Sequence, residues 1–219
     1  MVKEEMPVKW GVIVIDLQGD FTEWKRGSLA VPGSDEDYVR DVENATRRLK
    51  ESGIPVLGTQ DWHPPDHVSF ATSHAGKGPF DTVSVDGKLQ VLWPPHCVQG
   101  TENARIVMDN NLFLAVVKKA QDPMTESYSA FQAGGELERI LRVNGIGRVI
   151  VYGLATDYCV RATSLDLAAA GYLVVVIEDL CRSVSRDTAA AAVDEMRREG
   201  VRVVDTLEEA IEEIHRDRS

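Results

Sequence analysis

Histidine and aspartate side chains are concentrated between residues 61 and 96. Asp61, His63 and His67 lie within DWHPPDH, and His96 follows two prolines in WPPHC. In an extended segment, residues i and i+2 point the same way, so Asp61 and His63 can reach one point, and the prolines that follow favour a turn. Nitrogen and oxygen donors in this pattern are typical of a mononuclear metal site with a position open for chemistry. The pattern therefore favours an enzyme, although each histidine alone could be an ordinary loop residue.

The remaining two histidines are weaker candidates. His74 is followed by Ala75 and Gly76, which indicates a mobile loop, and His215 lies among terminal charges that indicate a solvated helix.

A nucleophile candidate lies in the segment VYGLATDYCVRAT. Cys159 falls where a strand passes into a helix, so the positive end of the helix should lower its pKa and backbone N–H groups should provide an oxyanion hole. The alternative is a small buried apolar residue, the usual role of a free cysteine. Cys97 is interpreted as a packing residue or as a support for the candidate ligand His96 beside it, and Cys181 as a structural residue.

A thiol nucleophile requires a proton acceptor. Asp16, at the end of the first predicted strand in IDLQGDF, is the natural candidate, although an acid there is often a turn residue. The positive charge of a lysine at the end of the third strand would stabilise the ionised forms of the carboxylate and the thiol. Spacing alone does not separate Lys118 from Lys119.

The elements that must position these residues alternate between β-branched runs and amphipathic stretches, which predicts an α/β fold of three layers (α/β/α) with a mainly parallel sheet of about six strands. Ser34 is expected to open the first helix. Strands are predicted at 10–16, 54–60, 112–118, 148–154, 172–178 and 201–204, helices at about 35–52, 135–144, 157–170, 187–199 and 206–217, and a long loop at about 61–100.

The predicted order of elements brings the candidates together. In open α/β sheets, ligands bind beyond the carboxyl ends of the strands. Asp16, Asp61, Lys119 and the turn at 155–159 each follow a different strand, so we expect them at one edge of one sheet.

Composition limits the classes of partner. The net charge of −11 argues against nucleic acid and anionic membranes. No apolar run reaches the length of a membrane span, and the start, MVKEEMPVKWGVIVID, lacks the apolar core of a signal peptide. Three cysteines without a CxxC pair fit a reducing interior. We therefore expect one domain over residues 1–219 and a cytoplasmic location.

Several motifs in this order resemble the nicotinamidase branch of the isochorismatase-like cysteine hydrolases. They are VIVIDLQGDF followed by GSLAVPG, TQDWHPPDHVSF, WPPHCVQGT, a lysine upstream of SYSAF, and GLATDYCVRAT. The resemblance covers about residues 10–205. It implies a triad of Asp16, Lys119 and Cys159, with Lys119 favoured over Lys118 by its distance to SYSAF. The family often has glycine where this chain has Ala120.

The resemblance also implies the remaining parts of the site. The metal ligands would be Asp61, His63 and His96, with His67 as a fourth in some members. The metal would be one divalent ion, zinc foremost, with iron or manganese as alternatives.

By the same resemblance, a cis peptide would join Leu154 and Ala155, and the N–H groups of Ala155 and Cys159 would form the oxyanion hole. The substrate would contact Phe21, Trp93 and Tyr128.

The activity implied is hydrolysis of nicotinamide to nicotinate and ammonia, by a protein that forms homo-oligomers. Two alternatives remain open from the residues: hydrolysis of another small amide, and a catalytically idle metal-binding or scaffold member of the fold.

Overall fold

A computed structural model describes residues 8–216 of the chain, which contain eight strands and five α-helices joined by loops and short turns. In chain order they are β1 Lys9–Ile15, α1 Glu36–Glu51, β2 Val56–Asp61, β3 Thr82–Val85, β4 Lys88–Val91, β5 Ala115–Lys119, α2 Glu136–Val143, β6 Ile146–Leu154, α3 Arg161–Ala169, β7 Leu173–Arg182, α4 Arg186–Arg198, β8 Arg202–Val204 and α5 Leu207–Arg216. The acidic start at 1–7 and position 217 of the last predicted helix lie outside the described residues.

Six of the strands form one sheet in the order β5-β2-β1-β6-β7-β8, and every neighbouring pair in it is parallel. Helices cover the sheet: α1 and α5 are joined by the Arg48–Glu208 ion pair, and α3 and α4 by Arg161–Glu195. The prediction of a three-layer α/β/α fold with a six-stranded, mainly parallel sheet is confirmed.

The central strands are buried along almost their whole length because both of their faces are covered. Six of the seven residues of β1, KWGVIVI, are buried, and so are all six of β2. Because of this burial, polar and apolar residues do not alternate along β1 as they would in a strand with one face in solvent. A ligand can reach the ends of these strands but not their faces.

The first helix begins one residue later than Ser34 suggested. Asp35 is its N-cap, and its carboxylate accepts a hydrogen bond from the Tyr38 N–H. The Ser34 hydroxyl instead faces the loop before the helix, where it accepts from the Glu23 N–H and donates to the Val31 carbonyl.

The region predicted as a long loop, 61–100, contains an antiparallel hairpin of β3 and β4, in which Thr82 pairs with Val91. The strand after it starts at Ala115 rather than 112, because residues Asn110–Leu112 form a short 3₁₀ turn. Within residues 8–216, no helix combines the length and apolar character that crossing a bilayer requires.

Candidate active site

Four neighbouring strands each deliver one polar residue to the same edge of the sheet. Lys119 and Asp61 are the last residues of β5 and β2, Asp16 directly follows β1, and Cys159 lies in the turn after β6. Strand order reverses between β1 and β6, which is the switch point where open α/β sheets bind ligands. The convergence predicted from the order of elements is therefore observed.

Lys119 lies at the centre of this group and is 1% exposed. Its Nζ is 3.0 Å from Asp16 Oδ2 and 3.3 Å from Cys159 Sγ, and it also donates to Asp61 Oδ1. Burial acts to lower the pKa of Lys119, but the Asp16 and Asp61 carboxylates outweigh burial and raise the pKa well above its ordinary value. The ammonium group therefore stays charged between two buried carboxylates.

Lys118 occupies a different environment. Its Nζ lies over the Trp62 ring, 3.9 Å from the centroid, and does not join the group around Asp16. The residue after Lys119, Ala120, has φ of 54°. This left-handed conformation costs an alanine about 1 kcal/mol and a glycine much less, which is a physical reason for the glycine that the family resemblance implies at this position.

Asp16 is fully buried and held in place by Thr59. The Thr59 hydroxyl donates to Asp16 Oδ1 over 2.6 Å and accepts from the Asp16 N–H over 3.1 Å. Burial raises the pKa of Asp16, and the charge of Lys119 offsets this only in part. A carboxylate oxygen of Asp16 and Cys159 Sγ lie within 4.8 Å of each other, so Asp16 can accept the thiol proton.

Cys159 is 5% exposed and lies in a helical turn, Thr156–Val160, that precedes α3. The peptide bond between Leu154 and Ala155 is cis, as the sequence resemblance implied. The expected lowering of the thiol pKa is reversed. Burial raises the pKa of Cys159 well above its ordinary value, and Lys119 does not overcome burial together with the nearby carboxylates. The thiol therefore lies beside a buried carboxylate, that of Asp16, in surroundings that do not favour the thiolate.

The other two cysteines are buried away from Asp16. Cys181 Sγ donates to the Ile177 carbonyl, and burial raises its pKa to about 12. Cys97 is fully buried and directly follows His96.

Asp61, His63 and His96 bring one ligand atom each within 4.8 Å of one another. His96 Nδ1 is 2.8 Å from the Pro94 carbonyl, which only accepts, so Nδ1 carries the proton and Nε2 keeps a free lone pair. Burial lowers the pKa of His96 to about 4, which keeps the ring neutral. Both ring nitrogens of His63 are buried without a hydrogen-bond partner. These three residues fit a divalent metal ion.

His67 differs from these ligands in its hydrogen bonds. The Ser69 N–H donates to its Nδ1, so its Nε2 carries the proton and faces the Thr125 carbonyl at 3.3 Å. Neither nitrogen then offers a free lone pair. His67 lies in a second group of donors with His63 and Glu126 rather than with Asp61 and His96.

Glu126 is a site residue that the sequence reasoning missed. It lies two positions before Tyr128, lines the same cavity as Cys159, and is 3.8 Å from His63 Nε2. Burial acts to raise its pKa, but His63 outweighs burial and the pKa is lowered to about 2. The only signal in the sequence was its position beside SYSAF, in a segment without periodicity.

Two further residues without a predicted role support the site. The Gln18 amide holds the backbone of Asp61, donating to its carbonyl over 2.8 Å and accepting from its N–H over 2.7 Å. The Asp20 carboxylate accepts from the Cys97 N–H over 2.7 Å and from Ser28. These contacts fix the segments that carry Asp61 and His96. The remaining histidine of the region, His74, lies outside both donor groups, with Nε2 2.7 Å from the Val68 carbonyl.

A largely aromatic cavity leads to Cys159 and includes all three predicted substrate contacts, Phe21, Trp93 and Tyr128. Tyr158, which was not predicted, completes it: its ring packs edge-on against Trp93 at 5.0 Å. Trp93 Nε1 donates to the Tyr128 hydroxyl over 3.0 Å. Ala155, Asp61, His96 and Glu126 share the lining, so a flat ring in this cavity would contact both the thiol group and the metal ligands.

Comparison with known proteins agrees with this geometry. Residues 11–208 match the Isochorismatase domain family. A nicotinamidase of Escherichia coli is 40% identical over 194 residues, covering 84% of this chain and 89% of the relative.

Two solved structures are similar in fold as well as in sequence. A nicotinamidase/pyrazinamidase of Acinetobacter baumannii has a TM-score of 0.82 and 34% identity, covering 92% of this chain and 98% of the other. A pyrazinamidase of Pyrococcus horikoshii in complex with zinc has a TM-score of 0.77 and 35% identity, covering 90% and 99%.

Proposed function

The chain belongs to the isochorismatase family, and we propose that it is a nicotinamidase that hydrolyses nicotinamide to nicotinate and ammonia through a thioester on Cys159. One observation carries the proposal: the cluster of Asp16, Lys119 and Cys159 faces an aromatic cavity that also contains a histidine–carboxylate donor set. The nicotinamidases among the related proteins support the choice of substrate.

In the proposed binding mode, the pyridine ring lies between the side chains of Phe21, Trp93 and Tyr128. This placement directs the carboxamide towards Cys159. Holding both reactants in one cavity removes most of the entropic cost of bringing them together.

Acylation begins when Asp16 takes the thiol proton as Cys159 Sγ attacks the carboxamide carbon. The C–S bond forms, and the carbonyl electron pair moves to oxygen. The N–H groups of Ala155 and Cys159 are the proposed donors to this oxyanion, a contact worth about 3–4 kcal/mol for each donor. When the carbonyl re-forms, the C–N bond breaks, and ammonia leaves with the proton from Asp16.

Deacylation uses the same base. Asp16 takes a proton from water as the water oxygen attacks the thioester carbon. The C–S bond then breaks, the proton on Asp16 returns to the Cys159 thiolate, and the product leaves as nicotinic acid, which gives its carboxyl proton to solvent and becomes nicotinate. The charge of Lys119, 3.0 Å and 3.3 Å from the two groups, favours the thiolate at both steps.

Asp61, His63 and His96 would hold the divalent ion, with Glu126 nearby. His67 would join them as a fourth ligand only if its hydrogen bonds to Ser69 and Thr125 were rearranged. When bound there, the ion supplies Lewis-acid coordination for the ring nitrogen of the substrate.

The test is ammonia release from nicotinamide by metal-analysed protein, with and without chelator, beside the variants Cys159→Ala and Cys181→Ala. We expect activity in the wild type and in Cys181→Ala, and none in Cys159→Ala. Release by Cys159→Ala at the wild-type rate would refute the mechanism. Faster ammonia release from another small amide in a substrate panel would indicate a different substrate. A metal-loaded protein whose Cys159 thiol does not react would indicate a catalytically idle member of the fold.

A further inference from the structure

The Asp157 side chain connects the nucleophile turn to the start of α4. Asp157 is buried and lies two residues before Cys159. Its Oδ1 accepts from the Val184 N–H over 3.1 Å, and its Oδ2 accepts from the Ser185 N–H over 3.2 Å and from the Thr188 hydroxyl over 2.5 Å. One carboxylate thus binds three donors from a segment distant in the chain.

These contacts lie at the start of the helix. Ser185 is the N-cap residue of α4, but its side chain makes no capping hydrogen bond. A helix N-terminus has free N–H groups and a positive potential that a carboxylate can satisfy. Here the carboxylate comes from the turn that carries Cys159, so the same three hydrogen bonds fix the position of that turn.

The segment that Asp157 binds is part of the cavity. Val184 lines the same cavity as Cys159, Ala155 and Tyr158. The two sides of this cavity are therefore joined through one carboxylate. A displacement of the turn would also move Cys159 Sγ away from Lys119 Nζ, at present 3.3 Å distant.

We propose that Asp157 is a positioning residue for the nucleophile. It holds Cys159 at its present distance from Lys119 and in its present position relative to Val184 in the cavity lining. The proposal rests on the proposed function for its catalytic consequence, although the reactivity of Cys159 tests it independently of the substrate. Losing the carboxylate should slow the reaction of Cys159, because its Sγ would no longer be held at its present distances from Lys119 and Asp16.

The experiment compares Asp157→Ala and Asp157→Asn with a matched control, Asp187→Ala. Asp187 is an exposed acid in the first turn of α4, so its removal takes a similar charge from the helix start without touching the nucleophile turn. The rate of Cys159 alkylation by iodoacetamide is followed by peptide mass spectrometry, together with kcat and KM for nicotinamide. Thermal melts establish that each variant is folded at the assay temperature.

We expect Asp157→Ala to slow alkylation and lower kcat by about tenfold or more, with a smaller change in KM. Asp157→Asn should retain part of both rates because its amide oxygen still accepts one hydrogen bond, and Asp187→Ala should stay within twofold of the wild type. Folded Asp157→Ala with alkylation slowed less than threefold, or accelerated, would overturn the proposal, since a purely structural role changes only the melting temperature.

If Asp157→Ala does not fold, Asp157→Asn and Thr188→Val decide by the same threefold criterion. Thr188→Val removes one donor and leaves the carboxylate in place. Failure of the wild type to hydrolyse nicotinamide would refute the proposed function and leave the alkylation comparison valid.

Discussion

Asp61 and Lys119 form a buried ion pair that joins the two halves of the site. Asp61 belongs to the donor group with His63 and His96 and also to the group with Asp16 and Cys159. One carboxylate therefore faces both the candidate metal ligands and the ammonium group beside the Cys159 thiol. Removing a metal ligand should therefore alter the electrostatic environment of Lys119, and removing Lys119 should alter that of the metal ligands, because Asp61 contacts both groups.

Replacing Lys119 should abolish activity and destabilise the fold. In Lys119→Met the Asp16 and Asp61 carboxylates lose their buried counter-charge. We expect a loss of about 3–5 kcal/mol in the free energy of unfolding and about 10³-fold or more in kcat/KM. Lys118→Met is the matched control, because Lys118 lies over Trp62 and should leave kcat/KM within about threefold. Urea unfolding and ammonia release measure the two effects; equal loss in both variants would contradict the assignment.

The pH profile should have an acid limb set by Asp16. The proposed base acts as a carboxylate, so activity is present above its pKa and is lost as the pH falls through it. Burial raises this pKa, so the midpoint of the limb in kcat/KM should lie above 3.8, the ordinary value for an aspartate. Activity regained on return to neutral pH, with unchanged metal content, separates titration from unfolding. A midpoint at or below 3.8 would argue against Asp16 as the base.

His96→Ala should weaken metal binding. The free lone pair on Nε2 is lost, and since removing even an outer partner of a metal ligand costs 10–100-fold in affinity, we expect a loss of roughly 100-fold or more. His74→Ala is the control, because His74 bonds to the Val68 carbonyl outside the donor groups. Metal stoichiometry after dialysis against a weak chelator is the measurement. Equal metal content in both variants would exclude His96 as a ligand.

His67→Ala should reduce metal content less than His96→Ala. Ser69 and Thr125 already occupy its two ring nitrogens, so coordination by His67 would require both hydrogen bonds to be rearranged. The same dialysis applied to His67→Ala tests this. A loss of metal equal to that in His96→Ala would show that His67 is a direct ligand.

Much of the fold could be read from the sequence because buried parallel strands have a strong local signature. The runs around Ile13, Val151 and Val175 are apolar throughout, and glycines or acids mark the ends of the helices beside them. The hairpin of β3 and β4 escaped prediction because it is short and its strands are largely exposed. Short exposed strands carry little hydrophobic pattern.

The site was predictable where a residue type and a strand end coincide, as for Asp16 and Asp61. It was not predictable where a role depends on packing from distant segments. Glu126 and Asp157 acquire their neighbours only when the loops fold over the sheet. The direction of the Cys159 pKa shift was missed for the same reason, since burial outweighs the local effect of the helix start.

The order β5-β2-β1-β6 also makes the reactive centre a late product of folding. Its four strands are contributed by well-separated parts of the chain, and β6, with the turn that carries Cys159, is the last of them in sequence. A fragment that ends before β6 lacks Cys159, the proposed nucleophile. In a chain whose β6 has not docked on β1, Cys159 does not lie beside Asp16, the proposed base. Recovery of catalytic activity during refolding would therefore report completion of the central sheet, later than measures of helix content.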